Sequence, residues 1–103
     1  MEKIDIAAVK DKIELLKRCS RSCVDRINTI RLEHTSTKTT TDTNGNEYEV
    51  TTWDDDTQRL NSYELNEIRI AYDAKSFELE KLLSTYQEAT EAINKLMTSN
   101  TEV

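Results

Sequence analysis

The chain has no proline, a single glycine and few aromatic side chains, and each shortage limits the fold. Aromatic residues make up 6% of its 103 residues. Proline and glycine make many of the chain reversals in proteins, so few reversals are expected and a many-stranded sheet is excluded. With 36% hydrophobic and 33% charged residues, the composition is nevertheless that of a folded chain.

Long apolar runs and an excess of positive charge are also missing. No apolar run approaches the roughly 20 residues of a transmembrane helix, and the N-terminal residues 1–5 lack the apolar stretch of a signal peptide. A net charge of -6 argues against nucleic-acid binding. We expect a product that starts in the cytoplasm, does not insert into membranes and, if exported, leaves without a cleavable leader.

The first periodic segment predicts an amphipathic helix over about residues 3–34. Its a and d positions are apolar in one heptad register, interrupted by Ser20. This seam contains Ile6, Val9, Ile13, Leu16, Cys23, Ile27 and Ile30. Asp5 is placed to cap the helix. The stripe is widened by Leu15, Cys19, Val24 and Leu32, which predicts more than one neighbouring helix.

The second periodic segment predicts a longer helix over about residues 54–99. Its register consists of Leu65, Ile68, Tyr72, Leu79, Leu82, Tyr86, Ala89, Ile93 and Leu96, interrupted by Lys75. Thr51 or Thr52 is expected to cap it, and the acidic run 54–56 suits a helix N-terminus. Because this helix outruns the first by several turns, its unmatched apolar residues need a partner chain.

The predicted fold is all-α, a single domain over residues 1–103 in which the two helices form an antiparallel, coiled-coil-like hairpin. Residues 1–34 carry eight basic against six acidic side chains, whereas residues 53–103 carry five against eleven, and this asymmetry favours pairing. The expected interior contacts join Ile13, Leu16, Ile27 and Ile30 to Leu65, Ile68, Leu79 and Leu82.

The segment between the helices, residues 35–52, is rich in threonine and has no helical period. Asn44-Gly45 is a strong hairpin signal between two β-branched stretches. The tip is therefore predicted to be either a small β-hairpin or a flexible loop.

Residues with reactive side chains do not form a recognisable catalytic or metal-binding set. Cys19 and Cys23 share a helical face, but His34 is the only histidine and lies three turns away, so neither a metal site nor a thiol–base pair can be completed. A disulfide within one helical turn would be strained. His34 is expected to cap its helix or to be solvated. We expect no catalytic residue, no bound metal, no cofactor and no enzymatic activity.

Aromatic and apolar residues are instead the candidates for partner contact. Trp53, at the junction of tip and helix, is either a staple that packs the tip or an exposed anchor. The residues expected to bind a partner are Trp53, Tyr72, Phe77, Tyr86, Ile93 and Leu96.

An acidic chain of this length, with helix, Trp-containing tip and helix, resembles the small Trp-Xaa-Gly (ESX-type) proteins of type VII secretion and the helical partners of LXG effectors. In this chain Trp53 is followed by Asp54-Asp55 instead of Xaa-Gly. Tyr63 and Glu67 match the Tyr-Xaa-Xaa-Xaa-Asp/Glu pattern of a possible export motif, early in the second helix. The resemblance implies a hairpin that binds the helical N-terminal region of a larger secreted effector and acts as its chaperone or targeting partner.

Two other functions remain open. A homo-oligomeric coiled-coil scaffold, of which a homodimer is the simplest case, would use the same apolar faces. A cytoplasmic immunity or inhibitor protein would use the acidic second helix to cover a basic active site.

Overall fold

Two helices flank a β-hairpin in the computed structural model, which describes residues 4–99. The elements are helix α1 (Ile6–His34), strand β1 (Thr35–Thr41), strand β2 (Glu47–Trp53) and helix α2 (Asp56–Ser99). The helices pack side by side in a rod of 81 × 32 × 15 Å. The predicted helical hairpin is thus confirmed, but the fold is not purely all-α, because a two-stranded antiparallel sheet separates the helices.

Helix α1 begins where the sequence predicts a cap. The Asp5 carboxylate accepts a hydrogen bond from the backbone N–H of Ala8 at 3.1 Å. The prediction that the helix extends back to Lys3 lies outside the described residues. At its other end the backbone N–H of Thr35 still donates to the Arg31 carbonyl, although Thr35 itself is extended. The chain therefore passes from α1 into β1 without an intervening loop.

The tip is a β-hairpin, in agreement with one of the two predicted alternatives. Seven residue pairs join the strands, from Thr35 opposite Trp53 to Thr41 opposite Glu47. Asp42 organises the turn: its carboxylate accepts from the backbone N–H groups of Asn44 and Asn46, and its carbonyl accepts from Gly45. Gly45 has a φ of 85°, a conformation that glycine adopts without steric cost.

Helix α2 begins two residues later than predicted and has a different cap. The Asp55 carboxylate accepts from the backbone N–H groups of Thr57 and Gln58, so the expectation that Thr51 or Thr52 would cap α2 is wrong. Both threonines pair in β2 and are therefore committed to the sheet. An aspartate carboxylate is a strong N-cap acceptor, which explains why the acidic run supplies the cap itself.

A contact between residues 34 and 54 closes the base of the tip. The Asp54 backbone N–H donates to the His34 carbonyl at 2.9 Å, and His34 Nδ1 lies 2.9 Å from Asp54 Oδ1. The sequence led us to expect that His34 would cap its own helix or be solvated. Its Nδ1 instead contacts Asp54. The side chain thus ties the end of α1 to the start of α2.

The seam of α1 is confirmed by its burial. Ile13, Leu16, Cys23 and Ile30 are buried against α2, together with Ser20. The remaining seam residues, Ile6, Val9 and Ile27, are half-buried. Every predicted a and d position of α1 thus faces its neighbour helix.

The prediction for the face of α2 that packs on α1 is wrong at alternate positions of its heptad register. Ile68 is 46% exposed and Leu82 is 59% exposed, so neither lies inside the hairpin. The face that packs on α1, here called the inner seam, consists of Ser62, Leu65, Arg69, Tyr72, Ser76, Leu79, Leu83 and Tyr86, all buried or half-buried.

Two small residues explain this choice of face. Ser62 and Ser76 are buried, and their hydroxyls donate to the carbonyls of Arg59 and Asp73, one turn earlier in the same helix. Because these hydroxyls are already hydrogen-bonded, burying them leaves no unsatisfied donor. Their short side chains also let the helix axes approach closely, as Ile68 and Leu82 would not.

Candidate partner-binding surface

Helix α2 has a second heptad seam that α1 covers only in part. This outer seam consists of Ile68, Lys75, Leu82, Ala89 and Leu96, alternating with Tyr72, Leu79, Tyr86 and Ile93. The residues of the first set are all exposed, whereas Tyr72, Leu79 and Tyr86 also belong to the inner seam. The two seams differ by one heptad position, which is about 50° around the helix. A second helix could therefore pack on α2 while α1 remains in place.

Midway along the rod the outer seam borders a groove that both helices form. Its α1 wall contains Leu15 and Cys19, and its α2 wall contains Ile68 and Tyr72. This side groove has a volume of about 500 Å³. Leu15 and Cys19 are the residues that widened the predicted stripe of α1, so the sequence indicated their role but not their neighbours on α2.

Charged residues along the rim of the side groove are mostly basic. Arg18 lines the groove directly, and Arg26 and Glu64 line the adjoining hollow next to Ile68. Lys75 is exposed between Ile68 and Leu82 on the outer seam. Although the whole chain is acidic, this surface offers positive charge around an apolar strip.

Near the N-terminal end of α1 the outer seam enters a small, almost wholly apolar cavity of about 200 Å³. Tyr86 and Leu82 lie on its α2 side, and Ile4 and Val9 lie on its α1 side. Tyr86, a predicted partner-binding residue, is thus half-buried in contact with the base of α1.

Beyond this cavity lies the last part of α2 that the structure describes. Every residue of the segment 88–98, here called the overhang, is exposed. Ile93 is 59% exposed and Leu96 is 67% exposed, and Met97 is similarly open. The overhang extends about 16 Å by the helical rise, and it carries two of the predicted partner-binding residues.

Other predicted partner-binding residues lie elsewhere. Tyr72 is half-buried between the helices, whereas Phe77 is highly exposed and belongs to neither seam. Trp53 is half-buried and lines a hollow of about 380 Å³ with Ile27 and Arg31. Trp53 thus lies at the junction of the hairpin with the helices, a position that agrees with the staple interpretation.

The possible export motif is on the surface. Tyr63 is exposed and lines the same hollow as Trp53, and Glu67, one turn further on, is also exposed. The guanidinium carbon of Arg59 is 5.7 Å from the centre of the Tyr63 ring. A hydrogen bond with Tyr63, together with the hydrogen bond and the charge of Asp56, raises the pKa of Arg59 above its ordinary value. The Tyr63 end of the motif therefore lies against the side chain of Arg59.

The cysteines and acidic residues form no assembled site. Both thiols are free, with Cys23 buried in the core and Cys19 half-buried in the side groove. Within residues 4–99 no three His, Cys, Asp or Glu side chains are grouped so that they could hold a metal ion. Asp54, Asp55 and Asp56 each have a separate contact, with His34, the α2 backbone and Arg59 respectively.

Over the same described part of the chain, neither helix is long and apolar enough to cross a membrane. No protein-family model, curated protein or solved structure matches the chain.

Proposed function

We propose that this chain is a non-enzymatic adaptor that holds a helix of a larger partner protein in the side groove. The observation that carries the proposal is the outer seam, a mostly apolar stripe of heptad spacing in which Ile68, Leu82 and Leu96 stay exposed although the inner seam is already paired. A helix with two seams is typical of a bundle that contains a further helix.

The geometry of the two seams supports a three-helix arrangement. In such a bundle each helix contacts two others in directions about 60° apart, close to the 50° that separates the inner and outer seams. A helix seated on Ile68 would also contact Leu15 and Cys19 of α1, because all three line one groove. The partner helix would thus bury apolar surface from both helices of the hairpin, at roughly 25 cal/mol per Å².

Rim charges suggest the chemistry of that partner helix. Three basic residues, Arg18, Arg26 and Lys75, lie beside the apolar strip against one acidic residue, Glu64. An amphipathic helix with Asp or Glu beside its apolar stripe would therefore be favoured over one with Lys or Arg. Charge pairs at an exposed rim contribute mainly to orientation and association rate.

We further propose that the partner is a secreted effector of the type VII kind and that the adaptor accompanies it as a targeting chaperone. The similarity to small Trp-Xaa-Gly proteins supports this identity, as does the elongated hairpin with Trp53 at its tip junction. Tyr63 and Glu67, both exposed, would be available as an export motif in the complex.

The test is affinity capture from the native host with the tagged chain, followed by mass identification and reconstitution of the pair from purified proteins. Ile68→Asp and Leu15→Asp place a charge in the groove and should each weaken binding at least about tenfold. Phe77→Asp is the matched control, because Phe77 is exposed outside both seams and should bind normally.

Equal binding by all three variants would contradict the groove as the binding site. Capture of no larger chain, with self-association alone, would favour the homo-oligomeric scaffold. Loss of effector from the culture medium in a Tyr63→Ala strain, with intracellular binding intact, would support the targeting role.

A further inference from the structure

We infer that the overhang is a self-association surface through which two copies of this chain join end to end by their α2 helices, antiparallel to each other. This inference goes beyond the adaptor function and does not rest on it, because it concerns the overhang end of the outer seam and not the side groove. The side groove at Ile68 lies 28 residues before Leu96, about 42 Å along the helix.

The first argument is that the overhang is complementary to itself. When two copies pack antiparallel on the outer seam with residue 91 at the symmetry axis, Leu96 of each lies level with Tyr86 of the other. In the next layer Ile93 lies level with Ala89. Each layer thus pairs residues of unequal size, which is the pattern that lets side chains interdigitate. A two-fold axis repeats both layers, so one surface serves as its own partner.

The second argument is that the hairpin already has a receiving site for Leu96. In this alignment the last turn of one α2 reaches the level of Tyr86 and Leu83 in the other copy, and both residues line the apolar cavity. That level contains the apolar cavity bordered by Ile4 and Val9. An exposed leucine would therefore enter an apolar cavity, once in each direction.

Charge agrees with the same alignment. The charged residues of the overhang, Glu88, Glu91 and Lys95, all lie off the outer seam, so no charge enters the contact. Glu88 of one copy comes level with Asn94 of the other, one residue away from Lys95, whereas a parallel pairing would place Glu88 level with Glu88.

The contact is small. Two helices that pack over about four layers bury on the order of 1,000 Å² in total, the lower limit for a specific interface. The expected dissociation constant is therefore roughly 1 to 100 µM.

Sedimentation equilibrium of the full chain over a concentration series should show a monomer–dimer equilibrium. Ile93→Asp combined with Leu96→Asp should leave only monomer, with unchanged helix content by circular dichroism. Phe77→Asp and Ile68→Asp should dimerise like the original chain. A chain that stays monomeric up to about 500 µM, or a dimer that survives the double substitution, would overturn the inference.

Orientation is tested by a spin label at Lys81→Cys, with Cys19→Ser and Cys23→Ala removing the other thiols. Residue 81 lies ten residues from the proposed axis, so the two labelled backbone positions should be about 30 Å apart along the rod. A dimer that packs along the full length of both hairpins, or in parallel, would bring them within about 20 Å and would contradict the end-to-end arrangement.

Discussion

The covered part of α2 and its overhang belong to one uninterrupted helix but differ in what stabilises them. From Ser62 to Tyr86 the helix buries its inner seam against α1, whereas every residue of the segment 88–98 is exposed. A helix of eleven residues would be marginal in isolation, because nucleation is costly. The overhang is helical because it continues a helix already nucleated by tertiary contacts. The residues that stabilise α2 therefore lie in its covered part, whereas the overhang only adds to its length.

The two parts also differ in what their apolar residues do. Leu65 and Leu79 stabilise the monomer, whereas Ile93 and Leu96 are exposed in it and can contribute free energy only to an association. Scattered exposed apolar residues need no explanation, but a stripe at heptad spacing does. Truncation of side chains in each part therefore separates folding from binding.

The largest expected effect is on the covered side. Leu16→Ala removes a buried side chain from the α1 face of the interface and should lower the free energy of unfolding by about 2–5 kcal/mol. Ile93→Ala in the overhang should change it by less than about 0.5 kcal/mol at concentrations where the chain is monomeric. Urea unfolding followed by circular dichroism measures both. Similar losses for the two substitutions would show that the overhang stabilises the monomer as much as the covered part does.

A smaller effect is expected from enlarging the interface. Ser76→Leu forces a longer side chain into the close helix contact and should cost about 1–3 kcal/mol of unfolding free energy. Ser84→Leu, on an exposed position of the same helix, should stay within about 0.5 kcal/mol of the original chain. A gain in stability from Ser76→Leu would show that the serines do not set the spacing of the helices.

The serines also explain how far the sequence could predict the fold. Helix α1 has one strongly apolar register, so its inner face could be read directly. Helix α2 has two registers that share Tyr72, Leu79 and Tyr86, and hydropathy favours the one with Ile68 and Leu82. The structure pairs the other, because close approach at Ser62 and Ser76 depends on side-chain size and not on hydrophobicity.

The sequence predicted a turn in the tip but not the hydrogen bonds and contacts that fix it. Asn44-Gly45 indicated a turn, and Gly45 does adopt a positive φ, but Asp42 makes most of the hydrogen bonds that organise the turn. The contact between His34 and Asp54 joins residues 20 positions apart, and it exists only because the strands pair in one register. The side groove likewise requires the interhelical register, which brings Leu15 next to Ile68.

The start of the covered part offers the next test. Asp55→Ala removes the carboxylate that caps α2 and should cost about 1 kcal/mol of unfolding free energy, whereas Asp55→Asn, which retains a capping oxygen, should cost only a few tenths. Asp54→Ala breaks the exposed contact with His34 and should cost less than Asp55→Ala. The same unfolding measurement ranks the three variants. A larger loss from Asp54→Ala would show that the contact with His34, and not the Asp55 cap, is the main stabilising interaction at the start of α2.

The smallest effect concerns the ion pair that joins the helices midway along the covered part. Glu80 raises the pKa of Lys17, through a hydrogen bond and through its charge, above the ordinary value of 10.5. A pKa raised by folding stabilises the folded state below the unfolded pKa, and that contribution disappears as the pH rises through the folded value. Both side chains are substantially exposed, so the contribution should be small and should weaken with salt. Glu80→Gln should therefore lower the pKa of Lys17 in an NMR titration, whereas Glu88→Gln in the overhang should leave it unchanged. An unchanged Lys17 pKa in Glu80→Gln would mean that the pair does not persist in solution and that apolar packing alone holds the covered part to α1.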